Sequence, residues 1–600
     1  MTFLHGEHLD PSNGTITHAV QALTQGAYEQ TTYIFGNNTA MPAVFEPLFV
    51  SYGFRYMQLS GKALVAPTVN DITCWKVHTE LERVGSFAFA PAANAEMQRR
   101  QDLLTANYNA TILTAEANWI SFPTDCPHRE RRGWLGDAQA AAESLASHFD
   151  MAAGNTKWLE DIRNAADLMY NNGNFPTLAP NYGSPNAPGA RPSAGFTSIA
   201  WSSAFVLVWD WTWRRYNDLS LARRHYARAR EYLDFLQLHA DPRTHVLPVG
   251  WQGGAPGSGL LGDWCAALGV NGTGSAGAGG QFTSRHASGT FNTFYFIRTH
   301  EAWLRAHDAL SMPASEAAPY KVWVNQARSG FNYAYFNRSL GTYGDPAVAA
   351  NVSLYGEEPL QTTLALALTM GVADLPHANA TAQVAHALLH DVQVTQAHRL
   401  TTGLIGSKYL FPALAEHGGM DTALTVLTQA ADPSYQYMLD QGPGTLWEEW
   451  LGNASWVRPR GSLNHIMLGS HLAWFYSHLG GLQLPDDSVG WSTVRVAPSM
   501  TKLLRGFGVE LITVRGPLRC AWEWHGTAGG YAMNVTVPVG SMANVTFTGV
   551  VSITENATTV FADGRFVARA SSGVVAGGRA GAKNALWLTV LSGDYWFAAQ

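Results

Sequence analysis

The sequence predicts a multidomain α+β protein in which a central (α/α)6 barrel of paired helices is flanked by a β-rich N-terminal segment and a C-terminal β-sandwich. Three observations carry this reading. Eleven or twelve runs of helical period crowd between about residues 100 and 480, short strand-like runs precede them, and alternating apolar and polar residues replace them after about 485. Periodicity alone gives only a large all-α domain; the toroid follows from the number of helices. The expected boundaries are 1–100, 101–484 and 485–600. Such a barrel gathers its helix-connecting loops at one open end, so its site should be built from loops far apart in the chain.

In the N-terminal segment, Phe45–Val50 and Phe54–Leu59 read as strands joined by Ser51-Tyr52-Gly53, and Val84–Phe89 as another. Thr15–Thr24 and the polar stretch Asn94–Asn109 read as helices, the second bridging into the barrel. The barrel helices are expected at Ala138–Phe149, Lys157–Tyr170, Ala200–Tyr216, Ser220–Leu238, Thr290–His307, Ala314–Arg328, Leu360–Met370, Ala380–His390, Ser407–His417, Thr422–Gln429 and Ser462–Leu479. Gly272–Gly280 lacks the following Lys-Ser/Thr and the preceding strand of a phosphate loop, so it reads as a plain loop. Beyond 485, Trp491–Ala497, Arg519–Trp524, Tyr531–Val537, Met542–Thr548, Thr558–Phe561 and Trp587–Leu591 are strand-sized, with His525–Gly530 as a hairpin turn. In the third of these, Tyr531, Met533, Val535 and Val537 alternate with Ala532, Asn534 and Thr536, which gives one buried and one wet face.

Composition limits the partners. A net charge of −7 and a pI near 6.3 provide no electrostatic footprint for nucleic acid or an anionic membrane, and no apolar run reaches the length of a membrane span. A neutral or weakly charged ligand is expected, and 21 Trp, 22 Tyr and 26 Phe suit a carbohydrate cleft although most must be core. The four cysteines are scattered without metal spacing; Cys126 and His128 are neighbours, but two ligands do not make a zinc site, so neither metal, cofactor nor disulfide scaffold is expected. Eleven Asn-x-Ser/Thr sequons, from Asn13 to Asn556, point to a secreted or secretory-pathway protein. No signal peptide is visible in residues 1–20, so either that compartment is wrong or the N-terminus lies upstream.

Chemistry concentrates in Asn118–Asp137, NWISFPTDCPHRERRGWLGD. It joins Asp125, Glu130 and Asp137 to Arg129, Arg131 and Arg132 and to Trp119 and Trp134, in a chain only 14% charged. Pro123, Pro127 and Gly133 forbid a regular helix until after Gly136, so these groups sit on an irregular segment ahead of an apolar helix. Acids beside arginine and indole suit a sugar, with charge for hydroxyls and proton transfer and indole for the apolar ring face. A buried network pinning a loop would use the same residues. Two later stretches repeat the combination: GLLGDWC, with Asp263 beside Trp264, and GPGTLWEEW, with Glu448 and Glu449 between Trp447 and Trp450, followed by Ser462-Leu463-Asn464-His465. Asp263 reads equally as a helix cap, and Glu449 as a solvated rim charge.

Together these motifs resemble the inverting α-L-rhamnosidases of glycoside hydrolase family 78, whose pattern runs T-D-C-P-Q-R-(D)-E-x-x-G-W-x-G-D, then G-D-W, then T-x-W-E-x-W and S-L-N-H. This chain has TDCPHRERRGWLGD, GDW at 262–264, TLWEEW at 445–450 and SLNH at 462–465, and residues 45–61 are similar to the sheet segment preceding that family's barrel. The resemblance covers the chain from about residue 40 and implies hydrolysis of terminal α-L-rhamnose from a glycoside or polysaccharide. It makes Glu130 the general acid and Glu448 the general base. It places Asp125, Arg129, Trp134, Asp137, Trp201, Asp263, Trp264, Trp447 and His465 around the rhamnose, the acids holding ring hydroxyls. Two departures stand out. Trp201-Ser202-Ser203 replaces the family's Trp-Gly-Asp, and His128 replaces its usual Gln.

That residue set fits the reaction: one carboxyl protonates the leaving oxygen while a second, across the ring, deprotonates water. Glu130 would need its proton and Glu448 its charge. Other readings are another (α/α)6 carbohydrate enzyme, such as a glucoamylase-like hydrolase or a polysaccharide lyase, and a non-hydrolytic rhamnoside-binding homologue.

Overall fold

From residue 95 to 479 the helices alternate between wholly buried and one-sided, and that alternation builds the barrel. The structure, a computed structural model, describes residues 1–10, 12–16, 29–36, 44–61, 67–128, 130–170, 172–180, 198–249, 261–267, 288–350, 360–371, 379–450, 461–525, 529–567, 573–580 and 585–600. The mainly buried helices are Leu135–His148, Ala204–Tyr216, Gly289–Ala309, Leu360–Met370, Leu404–Glu416 and the irregular Ile466–Leu479. Each packs on the next, and the last packs on the first, so six inner helices close a ring. Between them run Ala95–Ala117, Ala152–Met169, Leu219–His239, Ala314–Tyr335, Ala380–His390 and Met420–Leu427, which form the outer layer. In Leu219–His239 the buried Leu221, Ala222, His225, Tyr226, Ala229, Tyr232, Leu233 and Leu236 follow helical spacing, as a helix covered on one side requires. An inner helix such as Leu360–Met370 is covered on both sides, so its sequence is apolar or small almost all round.

Most expected helices are present with ends shifted by a few residues. Ala200–Tyr216 divides at Ser203 into Ile199–Ser202 and Ala204–Tyr216. Ser462–Leu479 is helical only from Ile466, because residues 462–465 pair with 446–448 instead. Gly136 does not delay the helix as expected, which begins at Leu135; there its lack of a side chain admits the Trp201 ring, 2.2 Å from where a Cβ would sit. A short helix, Tyr435–Gln441, was not foreseen.

The first hundred residues divide between two sheets. Strands β1 (Thr2–Gly6), β2 (Gln30–Thr32) and β3 (Tyr56–Ser60) form an antiparallel sheet in the order β2-β1-β3. Phe45–Val50 is not a strand: Phe49 has φ 59°, a left-handed conformation that interrupts extended backbone. Of the helix expected over Thr15–Thr24, Ile16 bridges to Leu9 as extended chain, and the rest lies outside the described residues. Strand β4 (Gly85–Phe89) leaves this segment altogether and pairs antiparallel with Gly506–Thr513 at the edge of the eight-stranded C-terminal sheet. Its Phe87 packs on Phe507 at 5.5 Å and on Phe475 of the last inner helix at 5.7 Å.

That eight-stranded sheet and a five-stranded one make the C-terminal layers. Gly530–Val537 buries Tyr531, Met533, Val535 and Val537, as its alternation requires. Gly506–Thr513, Val574–Ala580 and Gly593–Ala599 were not foreseen as strands. Glycines blur their period; Gly577 meets Leu588 and Phe566 closely enough that a Cβ would clash at 2.7 and 2.8 Å. Gly272–Gly280 and residues 526–528 of the expected hairpin turn lie outside the described residues.

Candidate active site

The Asn118–Asp137 segment folds as a closed loop because proline stops the helix and side chains complete the turn. Thr124 N–H donates to Asn118 O at 2.8 Å, Asp125 N–H to Arg132 O at 3.0 Å, and Arg132 N–H returns to Asp125 Oδ1 at 2.8 Å. Inside this loop the Cys126 thiol donates to Asp125 Oδ2 at 3.1 Å, and Glu130 N–H donates to Cys126 Sγ at 3.3 Å. Arg131 holds φ 54° and directs its guanidinium to Pro127 O and to Glu29. Trp134 is half-buried, and its indole N–H donates to Glu130 Oε2 at 2.8 Å, so it orients the expected acid. Arg129 lies outside the described residues.

The tryptophan-rich stretch and SLNH come together as a short ladder. Glu448 N–H donates to Ser462 O at 2.9 Å and His465 N–H to Leu446 O at 2.8 Å, while Leu446 N–H reaches Thr114 Oγ1 at 2.8 Å on the first helix. Asn118, which ends that helix, donates to Asn464 Oδ1 at 2.8 Å. Side chains more than three hundred residues apart are thereby brought face to face.

His465 is the junction. Its Nε2–H donates to Asp137 Oδ1 at 2.7 Å, and its Nδ1 stands 3.9 Å from Glu448 Oε2. Burial alone would lower this imidazole, but Glu448, Asp137 and Asp125 outweigh burial and raise it to about 9, so it is a cation at neutral pH. Glu448, 3% exposed, accepts Ser462 N–H at 2.9 Å as well as facing that cation; both favour the carboxylate. Asp137 sits in the first turn of its helix, where the helix dipole favours negative charge. Burial, then the charge of Glu130, lifts the Asp125 carboxyl well above its usual range. Asp125 thus resists ionisation beside Glu130, while Glu448 meets a cation and an N–H donor.

Ligating atoms of Asp125, Cys126 and His465 lie within 4.8 Å of one another. As an imidazolium, His465 would repel a cation, and the thiol already donates to Asp125, so the cluster fits a hydrogen-bonded core better than a metal. None of the four cysteines is in a disulfide.

Asp263 departs from the expectation that it holds ring hydroxyls. It is fully buried, and it takes Gly403 N–H at 2.9 Å, Ile405 N–H at 2.7 Å, Gly406 N–H at 3.0 Å and the Thr362 hydroxyl. Trp264 O takes Leu404 N–H at 2.9 Å. All four leading amides of the inner helix Leu404–Glu416 are thus satisfied by the GDW turn, whose acid caps a helix remote in sequence. The Trp264 ring is half-buried against the core. Trp201 and Trp447 are also buried, at 2% and 0% exposed; Trp201 lies under Gly136, and Trp447 packs behind Glu448 against Gly442. The substituted serines point inward, Ser202 Oγ sharing a 2.6 Å hydrogen bond with Tyr232 Oη.

Sequence reasoning missed Glu7 and Glu29, two buried acids of the N-terminal sheet region that touch the site loops. Neither lies in an aromatic-rich motif, and only their position as acids among short strands hinted at a partner.

The same order of domains occurs in known proteins. Residues 94–479 match the bacterial alpha-L-rhamnosidase 6 hairpin glycosidase domain, and residues 481–558 the bacterial alpha-L-rhamnosidase C-terminal domain. An alpha-L-rhamnosidase of Streptomyces avermitilis is 26% identical over 550 residues, covering 90% of this chain and 45% of its own length. One from Formosa agariphila is 25% identical over 501 residues, 84% of this chain and 48% of its own. The chain thus spans about half the length of the curated relatives it matches. Among solved structures, alpha-L-rhamnosidase from Dictyoglumus thermophilum superposes with a TM-score of 0.76 at 24% identity, over 100% of this chain and 59% of that one. The Streptomyces avermitilis enzyme complexed with L-rhamnose gives 0.74 at 22%, over 100% and 49%. The structural likenesses establish the fold as a six-hairpin glycosidase barrel with β-sheet regions on either side. With the glycosidase domain matched over more than half its residues, this chain belongs to the bacterial α-L-rhamnosidase six-hairpin glycosidase family.

Proposed function

We propose that the chain hydrolyses terminal α-L-rhamnose from rhamnosides by single displacement, with Glu130 as general acid and Glu448 as general base. The observation that carries this is the placement of the two glutamates about His465: Glu448 faces an imidazolium and a backbone N–H, while Glu130 takes the Trp134 indole N–H beside the buried Asp125, whose carboxyl burial and the charge of Glu130 raise. The base must be ionised to take a proton from water, and the acid must still hold one for the leaving oxygen. Asp125 and His465 link the two glutamates: Asp125 neighbours Glu130, and His465 neighbours both Asp125 and Glu448. On this reading a water takes its place between Glu448 and the anomeric carbon, as inversion requires. The relative complexed with L-rhamnose supports the sugar assignment.

On this reading Trp134 holds the acid, Asp137 and Glu448 keep His465 charged, and His465 keeps the base charged. Asp137 and Asp125 retain lone pairs for ring hydroxyls, whereas Asp263 supports the wall through its helix. Proton NMR of the anomeric region during hydrolysis of an aryl α-L-rhamnoside tests the proposal. β-L-rhamnose should appear first and mutarotate later. Initial release of the α-anomer, or a sugar ester trapped on Glu448, would refute the base assignment, and no release at all would leave a binding protein.

A further inference from the structure

The N-terminal sheet contributes what neither glutamate-bearing motif contains, a side chain that touches both loops. Glu7 directly follows β1 and is buried. Its Oε2 accepts Leu463 N–H at 3.0 Å and stands 3.3 Å from His128 Nε2. Leu463 follows Ser462, whose amide and carbonyl both bind Glu448; His128 precedes Glu130 by two residues, in the place where the family pattern has Gln. One carboxylate oxygen therefore joins the loop bearing the base to the loop bearing the acid. A second acid holds the acid loop from the same side: Glu29 pairs with the Arg131 guanidinium and accepts Gly53 N–H at 3.3 Å. Gly53 in turn lies against Pro127 so closely that a Cβ would stand 2.8 Å from its carbonyl carbon.

We propose that Glu7 is a positioning residue that fixes the separation of Glu130 and Glu448, which makes the N-terminal sheet part of the catalytic framework. The assignment rests on the reading of those two glutamates given above. Its physical basis is that the loops belong to opposite ends of the barrel sequence and meet where each closes the ring of helices. Inverting hydrolysis depends on their spacing, and a displacement of about 1 Å can cost on the order of a hundredfold in rate. Loss of the Glu7 carboxylate leaves Leu463 N–H buried without its acceptor and frees the two loops to shift apart.

Three variants and two measurements test this. Glu7→Ala should lower kcat on an aryl α-L-rhamnoside about tenfold or more, with KM within about twofold, because the groups around the sugar remain. Glu7→Gln, which keeps an oxygen for Leu463 N–H, should recover most of the rate. Glu7→Asp, one methylene too short to span both loops, should behave like Glu7→Ala, and it keeps the question decidable if the alanine variant does not fold. Separately from catalysis, hydrogen exchange of residues 461–467 should accelerate in Glu7→Asp while that of 530–537 in the C-terminal sheet stays unchanged. A rise in KM at constant kcat would place Glu7 on the sugar and overturn the positioning role. Unchanged exchange at 461–467 would overturn it as well. Wild-type protein that releases no rhamnose would sink the proposed hydrolysis instead, and the exchange comparison would still decide whether Glu7 ties the loops.

Discussion

A buried imidazole surrounded by three carboxyl groups makes His465 the residue on which the site's charge balance turns. Its pKa is raised from 6.5 to about 9, so the folded protein binds a proton the unfolded chain has released, and the stability this contributes is full below about pH 6.5 and lost as pH rises through 9. Asp125, raised from 3.8 to about 7, acts in a lower window: its contribution is full below about pH 4 and lost as pH rises through 7. Urea unfolding should therefore show stability falling between pH 6.5 and 9, by on the order of 3 kcal/mol if His465 acts alone. His465→Asn should remove the His465 contribution and, because the imidazolium holds Asp125 down, extend the Asp125 window upward. An unchanged slope between 6.5 and 9 would mean another group titrates there. The same charge arrangement explains Trp134, whose half-buried indole donates to Glu130 and so has a reason to be in the motif beyond covering a sugar face.

At the scale of elements, the GDW turn shows how one carboxylate organises a distant helix. Four donors, three of them leading amides of Leu404–Glu416, converge on Asp263 in a fully buried setting. Asp263→Ala would strand them and should cost about 3 kcal/mol of stability. The folded variant should keep KM for an aryl rhamnoside within about twofold, since the oxygens are already engaged. A large rise in KM with unchanged Tm would restore the reading of Asp263 as a sugar ligand. The irregular last inner helix has a related origin: residues 462–465 stay extended to pair with 446–448, so helix can start only at Ile466.

Over the whole molecule, closure of six inner helices brings the first and last motifs together, because the first inner helix packs on the last. The sheet of β1, β2 and β3 and the strand β4 then serve different neighbours, the residues beside the sheet holding the site loops and β4 extending the C-terminal sheet. No helix among the described residues is long and apolar enough to cross a membrane. The sequon asparagines at 13, 109, 337, 379, 534, 544 and 556 are described, and every one is exposed. At Asn13 the Thr15 hydroxyl donates to the side-chain oxygen at 2.6 Å, and at Asn337 the Ser339 hydroxyl does so at 2.7 Å. We propose that the protein traverses a eukaryotic secretory pathway and carries glycans at such positions. Secreted protein from a eukaryotic host should lose mass on treatment with an N-glycan endoglycosidase, and an unchanged mass would exclude it.

Periodicity, the number of helical runs and the motifs were enough to read a barrel of paired helices, its flanking β regions, and the two stretches, Asn118–Asp137 and 445–465, that meet at His465. Those properties are local: apolar spacing follows from how each helix or strand is covered, and Trp-Glu-Glu-Trp keeps its composition wherever it lies. In Tyr531–Val537 the alternation alone settled which face is buried. What only the tertiary structure decided depends on partners distant in the chain. Asp263 became a cap because Leu404–Glu416 begins beside it, β4 joined the C-terminal sheet because Gly506–Thr513 offered an edge, and Glu7 met Leu463 and His128 across the molecule. A carboxylate carries the same chemistry in each setting, and its role is set by which donors folding delivers to it, which no local window of sequence contains.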